Sequence, residues 1–251
     1  MENEINNSLL KRGVESGYYP RYLYRYMPIN ENTLSSLREK YLWFAKFTDF
    51  NDPYEGKVRK DHNYTTYELD SFIKSRLNIL TQFEIQQLCQ DADTYIDQRM
   101  REAYYGIRVC CFSKVQDNML MWSHYADKHT GICLEFDLLE DSTNVFRSLF
   151  PVKYTNIRES CNYIRDADSY IKCFALTKSI DWSYEQEFRA IHHLLADQRF
   201  PFNAGMLKKV IFGCKANETR VQTIKDILQE TVKYSQCRLN DDEYKVDIIN
   251  L

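Results

Sequence analysis

Apolar positions along the chain change period several times, and each change marks an element. Tyr22-Leu23-Tyr24-Arg25-Tyr26-Met27 alternates with a period of two, as a short strand does. Asn30 then offers an N-cap for a helix that puts Leu34 and Leu37 on one face. Residues 41–46, Tyr-Leu-Trp-Phe-Ala-Lys, predict a second strand whose Trp43 and Phe44 point to opposite faces, one of them into the core. The strand runs into turn chemistry at Asp49-Phe50-Asn51-Asp52-Pro53-Tyr54-Glu55-Gly56.

From residue 64 to 105 the period becomes helical. Leu69, Phe72, Ile73, Leu77 and Leu80 form one stripe, and Ile85, Leu88, Ala92, Tyr95, Ile96 and Ala103 form another. Two antiparallel helices inserted between strands fit this pattern. Strands are then predicted over residues 107–113, 131–136, 150–154, 187–194 and 209–212, with helices over 119–126, 163–177 and 219–234. The irregular mixture, without strict βαβ alternation, predicts an α+β fold: a mixed, largely antiparallel central sheet with a two-helix insertion and flanking helices. A single domain over 1–251 is expected, its core at about 20–62 and 106–250 and its helical insertion at about 63–105.

Composition narrows the class. A chain of 251 residues can bury a self-supporting core without staples. Its 33 Lys and Arg against 36 Asp and Glu give a net charge of −3, which is no footprint for non-specific nucleic-acid binding. Glycine (7) and proline (5) are scarce while tyrosine (19) and phenylalanine (14) abound, so order is expected nearly throughout. The eight cysteines (Cys89, Cys110, Cys111, Cys133, Cys161, Cys173, Cys214, Cys237) include no CxxC and read as reduced, mostly buried thiols of a cytoplasmic protein. Residues 1–8 lack the cationic and apolar regions of a signal peptide, and no run approaches the roughly eighteen apolar residues of a membrane span. No membrane partner is expected.

The histidines, His62, His124, His129, His192 and His193, show neither HxxxH nor HExxH spacing, so no zinc or other metal site is expected. Glycines never cluster into a phosphate loop, and GxSxG is absent. Chemistry therefore rests on four polar-aromatic clusters. In Tyr24-Arg25-Tyr26 the arginine fork can take a phosphate or carboxylate, or pair with a surface acid. The segment with Asp49, Asn51, Asp52 and Glu55 reads first as a turn held by Asx hydrogen bonds. Cys111-Phe112-Ser113 is followed by Met121-Trp122-Ser123-His124-Tyr125-Ala126, where Trp122, Tyr125 and Ala126 suit a core face and His124 can overhang a cleft or act as a tether. In Trp182-Ser183-Tyr184-Glu185-Gln186-Glu187-Phe188-Arg189, a strand beginning near Tyr184 puts both glutamates on one face. Such a pair needs a cation or ligand between its members, and Arg25, Lys178 or Arg189 would supply a purely structural one.

Through these stretches, in order from about residue 22 to 213, with Leu42-Trp43-Phe44, Phe50-Asn51-Asp52-Pro53-Tyr54-Glu55 and Gly131-Ile132-Cys133-Leu134-Glu135-Phe136 among them, the chain resembles a bacterial family, the domain of unknown function 2971 family. That resemblance implies no reaction. A remoter resemblance is to ADP-ribosyltransferases of the arginine-serine-glutamate kind, which carry an early-strand Arg, a Ser at a middle strand pair and a later Glu-x-Glu behind an aromatic loop. Arg25, Ser113 and Glu185-x-Glu187, preceded by Trp182 and Tyr184, follow that order, although Lys114 stands after Ser113 where Thr-Ser is usual. The resemblance implies NAD as substrate. Arg25 would hold phosphate, Ser113 would orient Glu187, Glu187 would bond the ribose and Glu185 would position the acceptor. His124 joins the catalytic candidates, and Tyr24, Asn51, Trp122, Tyr125 and Tyr184 join Arg25 as nucleotide-binding candidates.

The leading expectation is thus an NAD-dependent enzyme that binds a nucleotide-like small molecule and modifies a macromolecular acceptor, in the manner of a toxin or phage-defence effector. Two alternatives stand beside it. One is magnesium-dependent phosphodiester cleavage by Asp49, Asp52, Glu55, Glu185 and Glu187; the other is a non-enzymatic nucleotide- or partner-binding module. On the leading expectation Arg25, Ser113, His124, Glu185 and Glu187 line one pocket.

Overall fold

The computed structural model describes residues 2–193 and 198–251, except for the side chains of residues 2–7 and 168. Helix α1 (Glu2–Glu15), which the polar N-terminal sequence does not announce, leads into β1 (Tyr22–Met27). Asn30 caps α2 (Glu31–Glu39) by accepting the Thr33 N–H, and Leu34 and Leu37 are buried together, as their spacing requires. Strand β2 (Tyr41–Trp43) is shorter than the alternation suggests. The chain leaves the ladder after Trp43, which is 43% exposed, and buries Phe44 completely.

After β3 (Arg59–Lys60) come three helices where two were expected: α3 (Thr66–Ser75), α4 (Gln82–Gln90) and α5 (Ala92–Gly106). The reason lies in the caps. Thr65 with Glu68 and Thr81 with Glu84 form capping boxes, and Asp91 both ends α4 and accepts the Thr94 N–H of α5. The second stripe is therefore broken at Asp91.

Next are β4 (Ile107–Ser113), α6 (Met119–Tyr125) and β5 (Ile132–Asp137), all close to expectation. The strand expected at 150–154 is divided into β6 (Leu149–Pro151) and β7 (Lys153–Thr155), which pair with different partners. β8 (Ser160–Cys161), α7 (Ala167–Ala175) and β9 (Thr177–Ser179) precede a 3-10 turn over Ile180–Glu185 and β10 (Glu187–His193). Leu194, the expected end of that last strand, lies outside the described residues. Beyond β11 (Arg199–Pro201), β12 (Leu207–Phe212) and α8 (Glu218–Leu228), the helix expected to reach Tyr234 has already ended. Strands β13 (Lys233–Leu239) and β14 (Val246–Asn250) take its place.

The central sheet has eight strands in the order β14-β13-β12-β5-β1-β4-β10-β6, antiparallel throughout except for β12 beside β13. One face carries the largest core, where Leu23, Cys110, Phe112, Phe136, Phe188 and Val210 meet α2, α8 and Phe44. The other face is covered in two separate parts. Helix α6 covers β1, β5, β12 and β13 through Met121, Trp122 and Ala126. Helices α3 to α5 and α7 cover β4 through Ile107 and Val109.

Cys161 and Cys173 form a disulfide between β8 and α7, with their Cα atoms 6.9 Å apart, which corrects the expectation of thiols throughout. The packing of α7 on β8 brings the pair together; the other six cysteines are free. Among the described residues no helix is long and apolar enough to cross a membrane.

Candidate active site

β1 pairs along its length with β5, and β4 with β10, but β1 and β4 are bridged at a single position, Tyr24 opposite Ser113. Since Ser113 also lies opposite Glu187, and Tyr24 opposite Glu135, one row crosses four strands: Glu135, Tyr24, Ser113, Glu187. Beside that row, between the two coverings of the sheet, lies a cavity of about 200 Å³. Tyr24, Tyr26, Met121 and Tyr125 wall it on the α6 side and Phe50, Val109 and Cys111 on the other, with Lys178, Glu185 and Glu187 as its charged part.

Glu185 and Glu187 reach this place by a route unlike the expected one. The strand starts at Glu187; Glu185 closes the preceding 3-10 turn, and Gln186 between them takes a left-handed conformation. That kink, in place of strand alternation, turns both carboxylates to one side. Two cations answer them. The Lys178 ammonium donates to Glu185 Oε2 at 2.6 Å and lies 3.6 Å from Glu187 Oε2. Arg189 is wholly buried and grips Glu187 with two N–H bonds of 2.8 and 3.0 Å. A third N–H group of Arg189 donates to Glu55 Oε1 and to the Ala175 carbonyl at 2.5 and 2.7 Å. Tyr125 Oη donates to Glu185 Oε1 at 2.5 Å, and the Glu187 amide donates to the Tyr154 hydroxyl at 2.8 Å.

The electrostatics of the two glutamates diverge. Burial alone would raise Glu187, but the charges of Arg189 and Lys178 and the hydrogen bonds of Arg189 and Cys111 outweigh it and hold the carboxyl at about 2. Glu185 is raised, first by burial and then by the Glu187 charge, against the pull of Lys178 and Tyr125. Lys178 is lowered by burial but raised more by Glu187, Glu185 and Glu55, so it stays charged. One carboxyl is thus fixed as an anion and its neighbour is disposed to bind a proton.

Tyr24, Arg25, Asn51, Ser113, Tyr125, Glu185 and Glu187 all line the cavity. Three other candidates do not. Trp122 is fully buried beneath α6, edge-on to Tyr26, with its Nε1 donating to the Gln116 carbonyl, so it supports the wall from behind. His124 is exposed and bonded through Nδ1 to the Tyr184 hydroxyl at 2.9 Å, and with Trp182 these two make an outer aromatic group. The lone row position of Ser113 also has a different use from the expected one: its hydroxyl donates to the Glu185 carbonyl at 2.6 Å, not to Glu187. Arg25, at the cavity edge, turns toward Cys110 Sγ, the Phe112 ring and the Trp43 carbonyl, and makes no bond to Glu187.

Glu55 was legible only as part of a turn, because its partner Arg189 lies 134 positions away. Asp49 and Asp52 do serve that turn, accepting the Lys46 and Tyr54 N–H groups. Among the described residues no three His, Cys, Asp or Glu side chains are grouped so as to hold a metal ion.

Residues 121–190, from within α6 to within β10, match the family described as protein of unknown function (DUF2971). That stretch includes Tyr125, Lys178, Glu185, Glu187 and Arg189. No curated protein and no solved structure matches the chain.

Proposed function

Because the matching family carries no assigned reaction, we propose from the site itself that this protein is an NAD-dependent transferase of the ADP-ribosyl kind. The reading is carried by the row in which Tyr24, Ser113 and Glu187, from three segments far apart in sequence, stand side by side at a cavity with aromatic walls. Breaking the bond from ribose to nicotinamide builds positive charge on the sugar, and a fixed carboxylate facing it stabilises that state. Glu187 meets this demand by staying ionised, while Glu185 suits proton exchange with an incoming nucleophile. For Arg25 to hold phosphate, its guanidinium exchanges the Trp43 carbonyl for the ligand. Magnesium-dependent cleavage has less support, since Glu55, Glu185 and Glu187 already have Lys178 and Arg189 as counter-ions.

Calorimetric titration with NAD, followed by measurement of nicotinamide release, tests the proposal. Binding and slow release are expected, with release reduced by roughly 10²–10³ in Glu185→Gln, the scale on which one electrostatic or acid-base group contributes. Absence of binding by both NAD and ADP-ribose would remove it.

A further inference from the structure

Three buried carboxylates, Glu55, Glu185 and Glu187, share two buried cations, Lys178 and Arg189, so the group is one positive charge short. The shortage is unevenly distributed. Glu187 has both oxygens bonded by Arg189, and Glu185 has one bonded by Lys178 and the other by Tyr125. Glu55 has Oε1 on Arg189, but its buried Oε2 has no hydrogen-bond partner and faces the Lys178 ammonium at 3.9 Å. Buried acceptors are nearly always bonded, and one left open beside a flexible ammonium is a vacancy for that ammonium.

We propose that Glu55 is a positioning residue of this site: its free Oε2 is the second seat of Lys178, which passes from Glu185 to Glu55 when Glu185 takes up a proton. The shift required is about 1 Å, from 3.9 Å to ordinary charged hydrogen-bond length. Protonation makes Glu185 a poorer partner for the ammonium, so one proton balances the group and one short movement satisfies the open acceptor of Glu55. No electrons are exchanged; the proton comes from a nucleophile or from water and returns to solvent, with Lys178 moving back. Lys178 lines both the cavity beside Glu185 and a second cavity lined by Asp52 and Glu55, so its movement runs from one toward the other. The role rests on the reading of Glu185 as a proton acceptor, but not on NAD being the substrate.

The groups that bear on Glu185 are Glu187 from β10, Lys178 from β9, Tyr125 from α6, Tyr184 from the 3-10 turn and Tyr154 from β7, with Glu55 and Arg189 behind them. Infrared titration follows the carboxylic C=O band of Glu185, assigned by its loss in Glu185→Gln. In Glu55→Gln the second seat is gone, Lys178 stays on Glu185, and the band should appear at lower pH, by about one unit or tenfold in proton affinity. In Lys178→Met the same Glu55→Gln change should have no such effect, a coupling that loss of packing alone would not produce. Where Glu55→Gln does not fold, Glu55→Asp keeps the charge beside Arg189 while withdrawing the oxygen from Lys178, and the same shift is expected. In the unsubstituted protein, ¹⁵N resonance of the Lys178 Nζ should report a change of carboxylate partner across the same titration. An unmoved Glu185 band in a folded Glu55 variant, or a Lys178 resonance that keeps one partner, overturns the proposal. Neither measurement uses NAD, so failure of NAD to bind leaves this result separate.

Discussion

At the scale of single residues, Glu187 has two duties, because both of its oxygens satisfy a guanidinium with no access to water. Two carboxylates this close would by themselves gain from neutralising one of them, because like-charge repulsion is relieved. The cations reverse that expectation: Glu187→Gln leaves Arg189 with its bidentate partner uncharged, and a loss of about 3–5 kcal/mol is expected from chemical denaturation. Glu185→Gln is the cleaner probe of chemistry, since Lys178 retains Glu187 and Glu55 as neighbours. The Glu-x-Glu at the cavity was legible, although its aromatic escort, Trp182 and Tyr184, stands outside the cavity lining beside His124. The bonding of the two glutamates was not, because Lys178, Arg189 and Glu55 meet through tertiary packing that no local spacing encodes. Trp122 shows the opposite failure, a large aromatic beside polar neighbours whose i, i+3, i+4 relation to Tyr125 and Ala126 suited the core reading, and which lies wholly in the core.

Elements follow local chemistry where that chemistry is strong. The Asn30 cap of α2 is expected to contribute about 1 kcal/mol, so Asn30→Ala should lower the melting temperature modestly without altering the site. Gly131, just before β5, is fixed by close approach: an added Cβ would run into the Met27 carbonyl oxygen and lie 2.8 Å from that of Ala126. Both are backbone atoms that cannot move aside cheaply, so Gly131→Ala should be strongly destabilising and should disturb the junction of α6 with β1, detectable by near-ultraviolet circular dichroism. Alternation revealed β1, whereas β4 and β5 read as continuous apolar runs because both of their faces are packed. Alternation hid β13, whose buried positions are Ser235 and Cys237 amid lysine, glutamine and arginine, and the helical pattern of α8 was carried on through Thr231 and Tyr234. The third insertion helix was hidden by continuity of apolar spacing across Asp91, although an aspartate there is itself a readable N-cap, accepting the Thr94 N–H.

For the molecule as a whole, the site and the stability of the fold are linked through pH. Glu187 lies at about 2 in the folded chain against an ordinary 4.5, so it stabilises above 4.5 and that contribution is lost as pH falls from about 4.5 toward 2. Glu185 is raised, so its contribution has the other sign: it is full below the ordinary glutamate value and is lost as pH rises through the folded one. Denaturation midpoints should therefore fall steeply below pH 4.5, and the slope should be shallower in Glu187→Gln. Some slope should remain, because Glu68 is likewise held at about 2, by Arg165 and the Thr65 cap.

The lone bridge between Tyr24 and Ser113 gives the sheet an internal margin as well as its two outer ones. Five strands lie on one side of it, β14 to β1, and three on the other, β4, β10 and β6. Ladder hydrogen bonds join the strands within each group, with one register shift between β12 and β5, so cooperative protection weakens at this line. In deuterium exchange the molecule should behave as two slowly exchanging slabs separated by a fast seam, with the amides of β1 and β4 along that seam losing protection first, except Val109, which is bonded to the Ala45 carbonyl. A molecule wedged in the cavity would touch both slabs, and its binding would be read as slowed exchange along that line.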